Sequence, residues 1–229
     1  MEEKMDLLLK NGLVVTENEC KRVDIAVKNG KIAGLLERGS KTCCSEKEID
    51  CQGKVILPGA IDTHSHFFEP GEPSKYRDDF YTATMAAAAG GYTTCIEMPQ
   101  SIPPVVNKEA FLLKKKLATE KAVVDFALWG GLVPSSLDKI KELKEEGCVA
   151  FKAFTSDAGP DYEMCSDYDL LEGMKIVKAV GGLVGIHAEN DSICRKMTEY
   201  YREMYFMEPY YRMSGYDLSF IHSGRRRTD

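Results

Sequence analysis

A chain of 229 residues, 44% hydrophobic and 29% charged, is long enough to bury an ordinary core as one large domain or two small ones. Its net charge of −6 leaves no basic excess to neutralise phosphates and argues against nucleic acid as a partner. The charged start Met1-Glu2-Glu3-Lys4 is not a signal peptide and no apolar run approaches spanning length, which argues against a membrane role and for a cytoplasmic setting.

The first 57 residues read as a small β module. Leu7-Leu8-Leu9 leads through Asn11-Gly12 to Leu13-Val14-Val15, and Asp24 to Lys28 leads through Asn29-Gly30 to Lys31-Ile32-Ala33-Gly34-Leu35. Asn-Gly between two apolar runs is a strong hairpin signal, because both turn residues need positive φ, so two hairpins are expected. A third is expected around Gln52-Gly53, ending in Val55-Ile56-Leu57.

After Pro58-Gly59 strand-like runs alternate with helical ones. The strand candidates are 59–64, 92–98, 123–128, 148–154 and 183–187, spaced by roughly one βα unit of about 30 residues. Between them, 78–89 stops at Gly90-Gly91, Asn107 opens 108–122, Ser136 opens 137–146, and Ser166-Asp167-Tyr168-Asp169 resembles a capping box before 170–180. This alternation predicts an α/β fold with parallel strands, an incomplete (β/α)8 TIM-type barrel of about five βα units over residues 58–200. The stretch after Pro58 falls short of the roughly 250 residues of a typical closed barrel, so a continuation is expected. Residues 201–229 read as an irregular tail, the end of a truncated or frame-shifted chain, and Arg225-Arg226-Arg227 within it as a solvated run.

The eight cysteines (Cys20, Cys43, Cys44, Cys51, Cys95, Cys148, Cys165 and Cys194) show no CxxC spacing and read as reduced thiols, several buried as small hydrophobes. The adjacent pair Cys43-Cys44 reads as part of a polar loop rather than a metal site.

Chemistry concentrates at strand ends. His64 and His66, two apart on a strand, leave the same face at the C-terminal end of the first run, where barrel enzymes place catalytic groups. Alone the pair is equally compatible with a structural role and with a zinc-type site. Lys152 interrupts an apolar strand, Val149-Ala150-Phe151 before it and Ala153-Phe154 after it. One reading snorkels its ammonium outward or pairs it with an acid. The other uses desolvation, since a buried lysine loses its proton readily and the neutral amine takes up carbon dioxide to form a carbamate able to bridge two metals. His187 ends a further strand; a lone histidine there suits a core role, but three strand ends supplying His, Lys and His point to metal. Asp157, Glu189 and Asp191 read as loop and helix-cap residues, so no catalytic base and no substrate ligand are assigned.

These features resemble the cyclic amidohydrolases, a family that includes allantoinase, dihydropyrimidinase (hydantoinase) and dihydroorotase. The likeness runs from about Met5 to about Asn190, through Pro58 to His66, Glu69-Pro70-Gly71, Gly90 to Thr94, Glu97-Met98-Pro99, Phe151-Lys152-Ala153-Phe154 and His187-Ala188-Glu189-Asn190. The resemblance implies that His64 and His66 bind a first divalent ion, read as zinc, that carbamylated Lys152 bridges two ions, and that His187 binds the second. It also implies a β-sandwich for the N-terminal module, hydrolysis of a small cyclic ureide, and homo-oligomers, tetramers or dimers, for full-length members.

Within the family, Phe68 stands where dihydroorotases carry an arginine, and Phe154-Thr155-Ser156-Asp157 lacks the tyrosine usual in dihydropyrimidinases. Ile96 to Pro99, Trp129 to Pro134 and Phe151 to Phe154 look most like allantoinase, so allantoin ring opening is the first expectation and a hydantoinase-like activity the second. The family's sixth-strand histidine and its aspartate after the eighth strand have no counterpart, and His222 does not replace them. Three states are therefore expected alternatives: a fragment inactive alone, a non-catalytic scaffold, or a split enzyme completed by another polypeptide.

Overall fold

The structure, a computed structural model, describes residues 4–39, 44–67, 69–71 and 78–204. Cys43, Phe68, His222 and Arg225-Arg226-Arg227 lie outside them. The chain divides after Gly59 into two compact units.

The first unit is a six-stranded sheet of β1 (Met5–Lys10), β2 (Leu13–Val15), β3 (Cys20–Lys28), β4 (Lys31–Glu37), β5 (Ser45–Asp50) and β6 (Val55–Ile56). The β3–β4 hairpin is as the sequence predicts: Asn29 (φ 52°) and Gly30 (φ 71°) form its two-residue turn, with Lys28 opposite Lys31. The other two expected hairpins are not formed. β1 and β2 do not pair with each other; both run antiparallel to β3, at its residues 25–27 and 20–22. Asn11-Gly12 is therefore a break in one long strand. It is held by the buried Asp24 carboxylate, which accepts the Asn11 N–H at 2.8 Å. Likewise β5 runs parallel to β1 and β6 parallel to β2, so Gln52-Gly53 is a break in the neighbouring strand. The same positive-φ residues serve a turn or a kink, and a partner strand distant in sequence decides which.

The second unit carries five parallel strands in the order β11-β10-β9-β8-β7, the succession of a half-barrel. They are β7 (Ala60–Ser65), β8 (Tyr92–Glu97), β9 (Asp125–Gly131), β10 (Ala150–Phe154) and β11 (Val184–His187). The intervening helices are α1 (Phe80–Ala89), α2 (Lys108–Lys121), α3 (Ile140–Glu145) and α4 (Asp167–Ala179), with α5 (Asp191–Met204) after β11. All five expected strands are present.

Helix starts follow local chemistry. Asp79 and Ser166 close capping boxes on α1 and α4, and Asn107 caps α2 by accepting the Ala110 N–H. The expected cap at Ser136 is a correction. The helical path there opens at Pro134 as a 3-10 segment, Ser136 sits inside it with non-helical angles (φ −132°, ψ 21°), and α3 begins only at Ile140. Proline presets the first helical φ and needs no hydrogen-bonded N–H, so it starts the segment ahead of the serine.

The core of this unit lies between sheet and helices: Phe80, Phe111, Leu128, Leu132, Ile140, Leu143, Phe151 and Val177 are all nearly inaccessible. Gly173 on α4 fits against it. A Cβ there would stand 2.7 and 2.8 Å from the two δ-methyls of Leu132, itself 0% exposed. Gly173→Ala gains roughly 1 kcal/mol of helix propensity, but overpacking against an immobile neighbour costs about 1–3 kcal/mol. The expected net result in a urea melt is a loss of about 0–2 kcal/mol; a stabilised variant would show that α4 is not packed on Leu132. No helix among the described residues is long and apolar enough to cross a membrane.

Candidate metal centre

His64 and His66 leave the end of β7 on one side, as two-residue spacing requires, and their Nε2 atoms stand 3.1 Å apart. Two imidazole nitrogens converging on one point suit a shared ion. The His64 N–H is held by the Asp62 carboxylate at 3.0 Å, which fixes the local backbone.

Lys152 lies in β10, whose five residues are all buried, and it is 4% exposed. Among the described residues no carboxylate lies within ion-pair distance of its Nζ; the contact the ammonium makes is over the Phe154 ring, 4.9 Å from the centroid. Burial pulls its pKa down. Burial excludes snorkelling for this residue, and among the described residues pairing with an acid is absent as well. In register, Lys152 faces Gly131 on one side and Gly185 on the other, so neither neighbouring strand sends a side chain beside it.

The sheet curls enough to gather these strands. Trp129 on β9 donates its Nε1–H to the Thr63 carbonyl on β7 at 3.2 Å, passing over β8. Desolvation, and after it the Lys152 charge, holds His64 below the ordinary imidazole pKa, with His187 contributing further. His66 is pushed down to about 4 by desolvation, then by His64 and Lys152. His64 thus lies within electrostatic reach of His66, Lys152 and His187.

His187 ends β11 opposite Phe154 and stacks on its ring at 5.1 Å between centroids. Its Nε2 is 3.3 Å from the Glu189 carboxylate, which also accepts from the Ser156 hydroxyl at 3.3 Å. Glu189, read from sequence as a loop residue, is thus a direct partner of His187. Asp157 and Asp191 are structural as expected: Asp157 accepts the Gly159 N–H, and Asp191 accepts the Asp157 N–H and pairs with Arg195 at 2.6 Å. Among the described residues no group of three or more His, Cys, Asp and Glu side chains stands close enough to hold an ion. The structure therefore joins His64 to His66, sets Lys152 in their field, and leaves His187 with Glu189.

The donor set nonetheless fits a metal: paired imidazoles held neutral by their surroundings, and a buried amine without a carboxylate. For the metal-free chain the sign is determined. His66 titrates near 4 when folded and near 6.5 when unfolded, so the unfolded state binds more protons between those values. Its contribution to stability is complete above pH 6.5 and lost as pH falls towards 4. A histidine titration by NMR is expected to show one ring with its midpoint near 4; a midpoint near 6.5 would place His66 in open solvent.

A parallel βα half-barrel with polar groups gathered at C-terminal strand ends is the architecture of barrel hydrolases. Residues 55–201 match the model of the amidohydrolase family, and the chain belongs to that family. It is similar to the allantoinase of Bacillus licheniformis (43% identity over 204 residues, covering 85% of this chain and 44% of that protein). The allantoinase of Rubrobacter xylanophilus is comparably similar (42% over 202 residues, 84% and 43%). Among solved structures, the L-hydantoinase (dihydropyrimidinase) of Arthrobacter aurescens superposes with a TM-score of 0.81 at 33% identity, over 88% of this chain and 44% of its own. The chain thus spans less than half the length of these relatives.

Proposed function

We propose that this chain is the front half of a binuclear, metal-dependent cyclic-amide hydrolase of allantoinase type. The observation that carries the reading is Lys152, a buried ammonium without a carboxylate, in the field of the His64–His66 pair. Amidohydrolases generally use two metals bridged by a carboxylated lysine, and this donor set is compatible with that plan. In this reading residues 1–57 belong to a composite β-sandwich domain and 58–200 to the barrel, with α5 continuing past the expected boundary to Met204.

His64 and His66, with Nε2 atoms 3.1 Å apart, would hold the first ion. Burial holds the Lys152 pKa below its ordinary value, and once deprotonated its nitrogen would bond to the carbon of carbon dioxide, releasing one proton and leaving an anionic oxygen donor. Glu189 stands 3.3 Å from His187 Nε2, close enough to orient the ring, and His187 would hold the second ion. Two divalent ions, read as zinc, would supply acidified water and a polarised carbonyl. The substrate is a small cyclic ureide, allantoin by the similarity to allantoinases, and full-length proteins of this type are read as homo-oligomers. A hydantoinase-type substrate is the second reading, favoured by the structural match to L-hydantoinase.

The test is metal reconstitution of the 229-residue chain with zinc and bicarbonate. Stoichiometric zinc, with a mass gain of one carbon dioxide on Lys152, supports the reading; no zinc above the background of a Lys152→Ala control overturns it. A scaffold relative would hold no stoichiometric zinc. Turnover of allantoin by this chain alone would show that the described half suffices.

A further inference from the structure

Of the five lysines of α2, Lys114 and Lys121 are seven residues apart and so on one helix face two turns from each other. Each meets a glutamate from outside the helix. Lys114 and Glu97 are both completely buried, and Lys114 Nζ donates to Glu97 Oε1 at 3.1 Å and to the Met98 carbonyl at 2.6 Å. Glu97 Oε2 then accepts the backbone N–H of Phe67 at 3.0 Å. Lys121 pairs with Glu69 Oε1, and Glu69 Oε2 accepts the Phe80 N–H at 2.8 Å. Phe67 is buried edge-on against Phe80, with ring centroids 5.4 Å apart.

A buried ion pair is costly to desolvate and is poor evidence of stabilisation for its own sake. Here its carboxylate does something an apolar pair cannot: it supplies the acceptor for the amide one residue beyond His66. We propose that Glu97 and Lys114 are positioning residues for the histidine pair. Lys114 holds the carboxylate, and the carboxylate fixes the chain at Phe67, so that His66 Nε2 meets His64 Nε2. The Lys121–Glu69 pair fixes the far end of the same passage at the start of α1. The consequence for metal rests on the reading of His64 and His66 as ligands; the clamp itself does not.

Two double variants separate the backbone hydrogen bond from the charges. Glu97→Gln with Lys114→Met removes both charges but keeps a carbonyl acceptor for the Phe67 N–H. Glu97→Met with Lys114→Met removes the acceptor as well. Amide exchange at Phe67 in the metal-free chain, zinc affinity against a competing chelator, and Tm are measured for both. Phe67 is expected to exchange slowly in the unsubstituted chain and in the Gln variant. In the Met variant it is expected to exchange at least about tenfold faster and to bind zinc about 10–100-fold more weakly, with Tm close to that of the Gln variant. Fast exchange at Phe67 in the unsubstituted chain overturns the proposal without any variant. So do equal protection and equal zinc affinity in the two variants. If the unsubstituted chain holds no zinc, the metal reading fails, and exchange at Phe67 still decides the clamp.

Discussion

Replacing Lys152 by alanine is expected to abolish stoichiometric zinc binding, weakening it by about 100-fold or more, while leaving the metal-free fold as stable as before or slightly more so. The first half follows from its proposed place among the donors: loss of an outer partner of a metal ligand costs about 10–100-fold in affinity, and loss of a bridging donor costs more. The second half follows from desolvation. Lys152 is 4% exposed and among the described residues no carboxylate pairs with its ammonium, so alanine removes a buried polar group that the fold does not compensate. A structural lysine behaves the opposite way, since breaking a buried pair costs about 3–5 kcal/mol. Zinc stoichiometry and urea melts of the metal-free proteins distinguish the two. Undiminished zinc in the alanine variant, or a loss of stability above about 2 kcal/mol, would sink the assignment.

The contrast between Lys152 and Lys114 shows what was legible in the sequence. Lys152 stands out because a single charge interrupts an apolar strand. Lys114 is as deeply buried, yet it opens Lys114-Lys115-Lys116, where one lysine in a charged run does not stand out. The signal was present: Ala110, Phe111, Lys114 and Ala118 are the buried positions of α2, so the lysine occupies an apolar stripe at helical spacing. Its glutamate comes from β8, and sequence spacing does not pair residues across elements. Glu189 was missed for the same reason, since a loop carboxylate two residues from a histidine is unremarkable until the turn brings it to the ring. The parallel strands were legible because strand-like runs recur at about one βα unit, and α1, α2 and α4 each open on a side-chain cap. The N-terminal breaks were not, because Asn11-Gly12 has a local signature that a turn and a kinked strand share, and β3 resolves it from a distance.

One residue before Lys152, the same strand makes the opposite prediction. Phe151 is 0% exposed and belongs to the core cluster formed with Ile140 and Leu143 of α3 and Val177 of α4, the face of β10 away from Lys152. A Cβ added at Gly130 or Gly182 would stand 3.2 or 3.4 Å from its ring, so the backbone at both glycines is already close and does not fill a hole easily. Phe151→Ala is expected to cost about 3–5 kcal/mol, the range for a large aromatic whose cavity cannot collapse. Against a typical total of about 5–15 kcal/mol, that is a large fraction of the fold. The measurement is the urea midpoint at unchanged slope, and a cost under about 1 kcal/mol would mean that α3 and α4 are not packed on β10. Zinc separates the two faces. At about 100 times its Kd it stabilises by about 2.7 kcal/mol any variant that keeps the site. It is therefore expected to raise the midpoint of Phe151→Ala as much as that of the unsubstituted chain, and to leave Lys152→Ala where it was. Equal rescue of both variants would place the bound ion away from β10.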